Sequence, residues 1–239
     1  MGLKDGYGAL ARVYFMLEKI SLGNLLQEAR TAYLPDLLNC QNLLILGEGG
    51  GRFLQALLEA NFPGQLTLVE KSPGMVRCLK ERLKKKHIVL PPSSRIELAD
   101  VKNWEPRSGD QPYDGVVSHF FWDQFWKSSQ IQIAQRLETW LTPDALWLCA
   151  DFLDPVREGN RGIRGRVQHA ILLCWYLFFR WLGGMEANHL QSHRTLLKQL
   201  GWRCEASQSW AGHWIVSDLW RKNAFPHPRN EVNCIRQPY

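Results

Sequence analysis

A glycine-rich turn between two apolar segments constrains most strongly how this 239-residue chain can fold. The apolar residues 43–46 lead into Gly47, Gly49 and Gly51, and a second apolar segment ends at Glu70. An apolar segment without polar residues is typical of a strand that is buried on both faces in a parallel sheet. The pattern therefore predicts a β-α-β unit whose glycine turn follows the first strand.

The turn is suited to binding a nucleotide-like ligand. Glycine has no Cβ, so a ligand can approach the backbone closely, and the following helix directs partial positive charge to the same place. Glu70, at the end of the second strand, is placed to accept hydrogen bonds from ribose hydroxyls. A dinucleotide-binding turn has the spacing G-x-G-x-x-G, but Arg52 stands where its third glycine would be. This departure disfavours a nicotinamide-dependent oxidoreductase.

Two further predicted strands also end in polar residues. Residues 95–100 predict a short strand that ends at Asp100, and residues 113–118 predict a strand that is followed by His119 and Asp123. Open α/β sheets bind ligands at the carboxyl ends of their strands, so we expect these side chains to meet the ligand of the glycine turn. His119 is suited either to general-base catalysis or to packing and hydrogen bonding beside a cofactor.

The rest of the pattern completes an α/β fold. A helix begins at Ser72-Pro73, a good N-cap followed by a suitable first helical residue. Further segments predict helices at 130–141 and 191–200, a strand at 145–152, and a hairpin of strands at 204–210 and 214–220. We find neither an internal repeat nor a linker. One domain is therefore predicted over residues 1–221, with a loose, proline-containing tail over 222–239.

Over roughly residues 40–221, the chain resembles the class I S-adenosylmethionine-dependent methyltransferases, in particular the small-molecule branch similar to quinone and lipid-precursor methyltransferases. Their first motif is an apolar strand followed by G-x-G-x-G, which Gly47, Gly49 and Gly51 match. The chain departs from the motif at Ile45, where the family usually has an acid, and Glu48 is the only acid nearby. The resemblance implies a Rossmann-like, seven-stranded, mostly parallel sheet with helices on both faces and an antiparallel hairpin at its C-terminal edge.

The resemblance also implies S-adenosylmethionine as the cofactor and assigns residues to its site. Asp100 would contact the adenine amino group, with the backbone of Val101 beside it and Met75 packed on the adenine. His119 and Asp123 are the candidate catalytic residues. The complete candidate cofactor set is Gly47, Glu48, Gly49, Gly51, Glu70, Lys71, Met75, Asp100, Val101 and His119.

Two helical segments outside the predicted sheet are expected to cover the acceptor. They are a helical preface over residues 1–39 and a helix inserted within residues 153–188. Tyr7, Tyr14 and Trp122 are candidate acceptor-binding residues. The apolar run within the insertion has ten residues, fewer than the ~20 that a membrane span needs. Arginines before it would suit peripheral contact with an anionic membrane over residues 157–182.

Charge and cysteine content limit the other partners. The net charge of +6 is spread along the chain, and the three lysines at 84–86 suit a helix end, so we predict no nucleic-acid partner. Six cysteines without a C-x-x-C pair, and no apolar core of a signal peptide, predict a cytoplasmic protein with reduced thiols. His189 and His193 have helical spacing and could bind a metal, but two histidines alone do not complete a ligand set, so no metal site is predicted.

The predicted function is therefore S-adenosylmethionine-dependent methyl transfer to a small hydrophobic or aromatic acceptor. The apolar insertion motivates the choice of acceptor. The alternative is a non-catalytic, methyltransferase-like binding module that serves a protein partner, and the apolar residue at Ile45 is the main argument for it.

Overall fold

A computed structural model describes residues 24–154, 162 and 192–222 of the chain. Its helices are α1 (Leu25–Thr31), α2 (Leu34–Leu37), α3 (Arg52–Glu59), α4 (Pro73–Lys85), α5 (Lys127–Glu138) and α6 (His193–Gln199), and a 3-10 helix covers Trp122–Gln124. Its strands are β1 (Asn42–Leu46), β2 (Gln65–Glu70), β3 (Arg95–Leu98), β4 (Tyr113–Val117), β5 (Leu141–Phe152), β6 (Arg203–Trp210) and β7 (Ile215–Arg221).

The strands form one seven-stranded sheet in the order β3-β2-β1-β4-β5-β7-β6. Strands β1 to β5 are parallel to one another, whereas β7 is antiparallel to both β5 and β6. The predicted Rossmann-like sheet with an antiparallel C-terminal edge is therefore confirmed. The chain first builds outward from β1 to β3 and then continues on the other side with β4. This change of direction places a ligand crevice at the carboxyl ends of β1 and β4.

The central strands form because apolar side chains are needed on both faces of the sheet. Leu43, Leu44, Ile45 and Leu46 of β1 are each at most 1% exposed. Leu44 and Leu46 join the hydrophobic core on one face, and Leu43 and Ile45 join the core on the other. The alternation follows from the two-residue period of a strand.

Strand β5 begins four residues earlier than the sequence predicts, at Leu141 instead of Ala145, and the preceding helix ends at Glu138. Leu141 pairs with Tyr113, and Leu146 pairs with Gly115, so five residues of β5 span two of β4. This irregularity accommodates Pro143, which cannot donate a ladder hydrogen bond. The sequence predicts that the preceding helix ends at residues 142–144. Pro143 instead lies within β5.

The described part of the N-terminal preface packs over the carboxyl end of β5. Leu26 and Ala29 of α1 join a small core with Ala150, Phe152 and Trp214. Several predicted features lie outside the described residues. They are Tyr7 and Tyr14, nearly all of the insertion at 153–188 including nearly all of the predicted membrane contact at 157–182, and all but the first residue of the tail. Within the described ranges, no helix has both the length and the apolarity needed to cross a membrane.

Gly51 joins the glycine turn to the packing of α3 against α4. Its φ of +79° is a left-handed conformation, and a Cβ built there would lie 2.8 Å from Cγ of Leu79. Gly201, which follows α6, has a similar φ of +84°, but a Cβ there would meet no described atom within 4 Å. The two positions therefore share the backbone requirement, and only Gly51 adds a steric one.

We expect Gly201→Ala to lower the free energy of unfolding by about 1–2 kcal/mol, the cost of the left-handed conformation. Gly51→Ala should lower it by roughly a further 1–3 kcal/mol because the methyl group overpacks the contact with Leu79. Urea unfolding of the two variants measures the difference. Equal losses of unfolding free energy in the two variants would contradict the prediction, because they would show that the Leu79 side chain can move aside at no cost.

Candidate cofactor and acceptor site

The glycine turn is open at one of its three motif positions. A Cβ on Gly47 would lie 2.5 Å from Cδ2 of Phe121, and Gly51 is closed by Leu79. At Gly49, with a φ of +63°, the nearest described atom to a Cβ would be Sδ of Met75, at 3.9 Å. The absence of a side chain therefore serves protein packing at Gly47 and Gly51, and it leaves room for a ligand at Gly49.

The Glu70 carboxylate connects the ends of two strands. Its Oε2 accepts a hydrogen bond from the backbone N–H of Gly49 at 3.0 Å, and its Oε1 accepts one from that of Ser72 at 2.8 Å. Burial raises the pKa of Glu70, and these hydrogen bonds oppose part of the increase. Each carboxylate oxygen has a further lone pair, so both remain able to accept from a ligand hydroxyl.

Asp100 lies beyond β3 and forms an ion pair with Lys71, with 2.9 Å between Oδ2 and Nζ. Its Oδ1 accepts from the backbone N–H of Lys102 at 3.0 Å. Partial burial works to raise the pKa of Asp100, but these interactions outweigh it and the pKa lies below the ordinary value. Val101 is buried beside it, so the predicted residues at the ends of β2 and β3 do come together.

Glu48 caps the helix that follows the turn. Its Oε1 accepts hydrogen bonds from the backbone N–H groups of Phe53 and Leu54, at 2.8 and 3.0 Å. Burial raises the pKa of the Glu48 carboxyl to about 7. Ile45, where the resemblance expects an acid, is fully buried in the core. Glu48, the acid within the turn itself, therefore satisfies backbone N–H groups at the start of α3.

His119 follows β4 and is 7% exposed. Its Nδ1 accepts a hydrogen bond from the backbone N–H of Ala150 at 3.0 Å, so the neutral ring carries its proton on Nε2. Nε2 is buried and has no hydrogen-bond partner among the described residues. Burial lowers the pKa of His119 well below its usual value, and the nearby charge of Arg30 adds to the effect. This geometry favours hydrogen-bond donation over proton abstraction.

Aromatic side chains line the exit from β4 and β5. The ring of Phe120 lies 5.1 Å from that of Phe152, which lies 5.6 Å from that of Trp214. Phe120 has a φ of +50°, a conformation that costs a non-glycine residue free energy, and the Arg30 guanidinium lies 4.9 Å above its ring. We call Phe120, Phe152 and Trp214 the aromatic wall.

The other two predicted residues at this exit differ in their surroundings. Trp122 is fully buried, and its indole N–H donates to Oγ of Ser118 at 2.9 Å. These contacts indicate that Trp122, a candidate acceptor-binding residue, is part of the packed core. Asp123 has an Oδ1 that is buried without a hydrogen-bond partner in the described part of the chain. Burial raises its pKa to about 6.

The sequence analysis did not single out Asp151, although its charge and that of Asp123 interact. Asp151 is 1% exposed at the end of β5, and its Oδ2 has no partner among the described residues. Burial raises its pKa well above the ordinary value, and Asp123 adds to the increase. An acid within an otherwise apolar predicted strand, Ala150-Asp151-Phe152, was the one signal available.

Comparison with known proteins identifies this arrangement. Residues 43–144 match a family model described as a methyltransferase domain. This segment of the chain carries a methyltransferase domain. It begins in β1 and ends within β5, so it contains the glycine turn, Glu70, Asp100 and His119. A search of curated proteins found no significant match.

Solved methyltransferases share the fold at low sequence identity. The N-methyltransferase NodS from Bradyrhizobium japonicum WM9, in complex with S-adenosyl-L-homocysteine, is 14% identical with a TM-score of 0.60, over 92% of this chain and 99% of that one. Mycolic acid cyclopropane synthase CmaA1 is 15% identical with a TM-score of 0.57, over 82% and 85%. Human N-acetylserotonin methyltransferase is 17% identical with a TM-score of 0.61, and the match covers 92% of this chain but only 57% of the human chain.

The raised pKa of Glu48 predicts a pH-dependent stability. Its pKa rises from 4.5 in the unfolded chain to about 7 in the fold, so the fold binds more protons between these values and loses stability as the pH rises through them. Glu48→Gln keeps an acceptor oxygen for α3 but cannot ionise. Relative to the wild type, its free energy of unfolding should increase between pH 5 and pH 8, on the order of 1 kcal/mol after solvent screening.

The control for this measurement is Glu59→Gln, which changes an exposed carboxylate at the other end of the same helix. Urea unfolding at both pH values should give the same difference from the wild type for this variant. A Glu48→Gln difference that does not change with pH would contradict the prediction.

Proposed function

We propose that this methyltransferase transfers a methyl group to a small hydrophobic or aromatic acceptor that binds at the carboxyl ends of β4 and β5. The observation that carries the proposal is the aromatic wall, in which the partly exposed Phe120 lies next to the strand end that holds His119 and the buried Phe152 and Trp214 pack behind it. Such a surface suits an apolar acceptor, because aromatic rings bind planar or apolar groups with large contact areas. The apolar insertion predicted from sequence gives independent support.

The residues at the ends of β1, β2 and β3 fit the cofactor. Gly49 offers an unobstructed backbone, Glu70 offers two acceptor oxygens, and Asp100 offers a carboxylate paired with Lys71. In the proposed site Glu70 holds the ribose, Asp100 and Val101 face the adenine, and Met75 packs beside the turn. When bound, S-adenosylmethionine supplies a methyl group on a positively charged sulfur.

The chain then has to position the acceptor and exclude water. Holding two reactants in line can supply most of the acceleration of such a displacement. Phe120, backed by the buried Phe152, provides an apolar contact surface, and α1 covers the end of β5 beside it. We propose that Nε2–H of His119 donates a hydrogen bond to the acceptor or to the cofactor. Asp123, with its unpartnered oxygen, is the proposed group for a polar atom of the acceptor.

The names of the structural neighbours are consistent with an acceptor of this kind. The human protein is named for N-acetylserotonin, an aromatic compound, and the CmaA1 structure contains CTAB, a long-chain amphiphile. Mitomycin 7-O-methyltransferase MmcR, 20% identical with a TM-score of 0.58, is named for another small molecule.

The second candidate function is a binding module that serves a protein partner. The buried, apolar Ile45 favours it, because the acid expected there is missing. Calorimetry with S-adenosylmethionine, S-adenosylhomocysteine and NAD, followed by turnover assays on aromatic, quinone-like and polar acceptors, separates the candidates. Cofactor binding with turnover on aromatic or quinone-like acceptors supports the proposal. Binding without turnover favours the module, and NAD binding alone contradicts both.

One test of the proposed cofactor site is the substitution Glu70→Ala. Loss of the ribose hydrogen bonds should weaken S-adenosylmethionine binding by about 1–3 kcal/mol, roughly 5- to 150-fold in Kd. Asp114→Ala is a matched control, because Asp114 accepts from the backbone N–H groups of Gln41 and Asn42, at 2.7 and 2.9 Å, at the amino ends of β1 and β4. Both variants should lose stability, and calorimetry should find weakened cofactor binding in Glu70→Ala alone.

A further test concerns the proposed hydrogen bond from His119. Asn can replace Nδ1 as the acceptor for Ala150 N–H but has no group at the position of Nε2–H, whereas the amide N–H of Gln can reach that position. We expect His119→Asn to lower turnover at least tenfold and His119→Gln to retain more activity, with similar pH profiles in both. If His119 is a general base instead, both variants lose activity and the acid limb of the wild-type profile disappears.

A further inference from the structure

A cysteine, an aspartate and a histidine meet inside the fold at the carboxyl end of β5. Sγ of Cys149, a carboxylate oxygen of Asp151 and a ring nitrogen of His193 lie within 4.8 Å of one another. Cys149 and Asp151 are two residues apart on β5 and so face the same side of the sheet. His193 is the first residue of α6. All three side chains are at most 1% exposed.

A hydrogen bond orients the histidine toward the other two groups. Nε2 of His193 lies 2.8 Å from Oδ2 of Asp218, whose oxygens also accept from Arg194 at 2.7 Å and from Ser207 at 2.6 Å. With so many donors Asp218 is a carboxylate, and His193 donates to it from Nε2. The lone pair of a neutral imidazole is then on Nδ1, the nitrogen that faces Asp151.

The atoms that face each other are unpartnered. Nδ1 of His193 and Oδ2 of Asp151 are 4.0 Å apart, which is too long for a hydrogen bond. Both are buried, and neither has a hydrogen-bond partner among the described residues. Burying such atoms without a partner costs free energy, and an ion between them would remove that cost.

We propose that Cys149, Asp151 and His193 bind a transition-metal ion of the zinc class. A histidine whose other ring nitrogen donates to a carboxylate is the usual arrangement of a metal-ligating imidazole. Thiolate and imidazole ligands favour Zn²⁺ over Mg²⁺ or Ca²⁺, which take oxygen ligands. Tetrahedral bonds of about 2.0–2.3 Å separate ligand atoms by roughly 3.3–3.8 Å, so the cluster needs to contract by at most about 1.5 Å.

Binding requires the ligand atoms to be deprotonated, and this includes any proton that the buried Asp151 carboxyl holds. Sγ of Cys149 now donates to the carbonyl oxygen of Ser118 at 3.2 Å, and coordination would release this proton to solvent as the sulfur–metal bond forms. The three side chains leave the fourth position of a tetrahedral site open. The ion would attach α6 to the sheet beside the proposed acceptor site.

Cobalt tests the site in the full chain. Co²⁺ added to metal-free protein should bind one equivalent with a near-ultraviolet thiolate-to-metal charge-transfer band. Cys149→Ala should abolish the band, whereas Cys204→Ala, at a half-buried cysteine on β6, should retain it. Asp151→Asn, which preserves shape, should weaken Co²⁺ binding at least tenfold. Zn²⁺ should compete for the site and raise the Tm of the wild type but not that of Cys149→Ala.

The proposal is overturned if folded wild type shows no thiolate band, or if the band persists in Cys149→Ala. Undiminished binding in Asp151→Asn also overturns the assignment of that ligand. Circular dichroism establishes that each variant is folded. Calorimetry with S-adenosylmethionine on metal-free protein is a separate readout, so loss of the metal site and failure of the proposed methyl transfer give different results.

Discussion

The hydrogen bonds of one carboxylate hold the cofactor side of this fold together. Glu70, at the end of β2, accepts from Gly49 in the turn after β1 and from Ser72 at the start of α4. Three segments are thereby connected through one buried charged group, and hydrogen bonds to a charged group are stronger than neutral ones. Ser72 in turn caps α4 by accepting from Met75. The hydrogen bond from Gly49 to Glu70 therefore fixes the backbone at the one motif glycine that leaves room for a ligand.

The proposed acceptor side is organised by a different polar group, the hydroxyl of Ser118. Its Oγ accepts hydrogen bonds from the indole N–H groups of Trp122 and Trp147, at 2.9 and 2.8 Å, and all three residues are fully buried. This network holds the end of β4 against β5, where the next residue, His119, accepts from Ala150. The left-handed backbone of Phe120 follows at once, and strain of this kind persists only where the surroundings fix it.

How much of this was predictable depends on sequence separation. The β1-turn-β2 unit was recognisable because its apolar runs, glycines and Glu70 lie within 28 residues of one another. The early start of β5 was not, because Pro143 is tolerated only through an irregular pairing with β4. Trp122 was assigned to the acceptor although its N–H has a buried partner in Ser118. The neighbours of His193 were missed because Cys149 and Asp218 are distant in sequence.

This difference follows from how the two halves of the site are built. The cofactor half consists of turns that directly follow their strands, so local residue patterns specify it. The acceptor half combines the exits of β4 and β5 with α1, α6 and β7, and each side chain there depends on partners from other elements. A substitution in the cofactor half disturbs one local turn, whereas one in the acceptor half changes the fit between several elements. The same fold can therefore keep one cofactor while its acceptor surface varies, and for this reason the sequence identifies the cofactor more sharply than the acceptor.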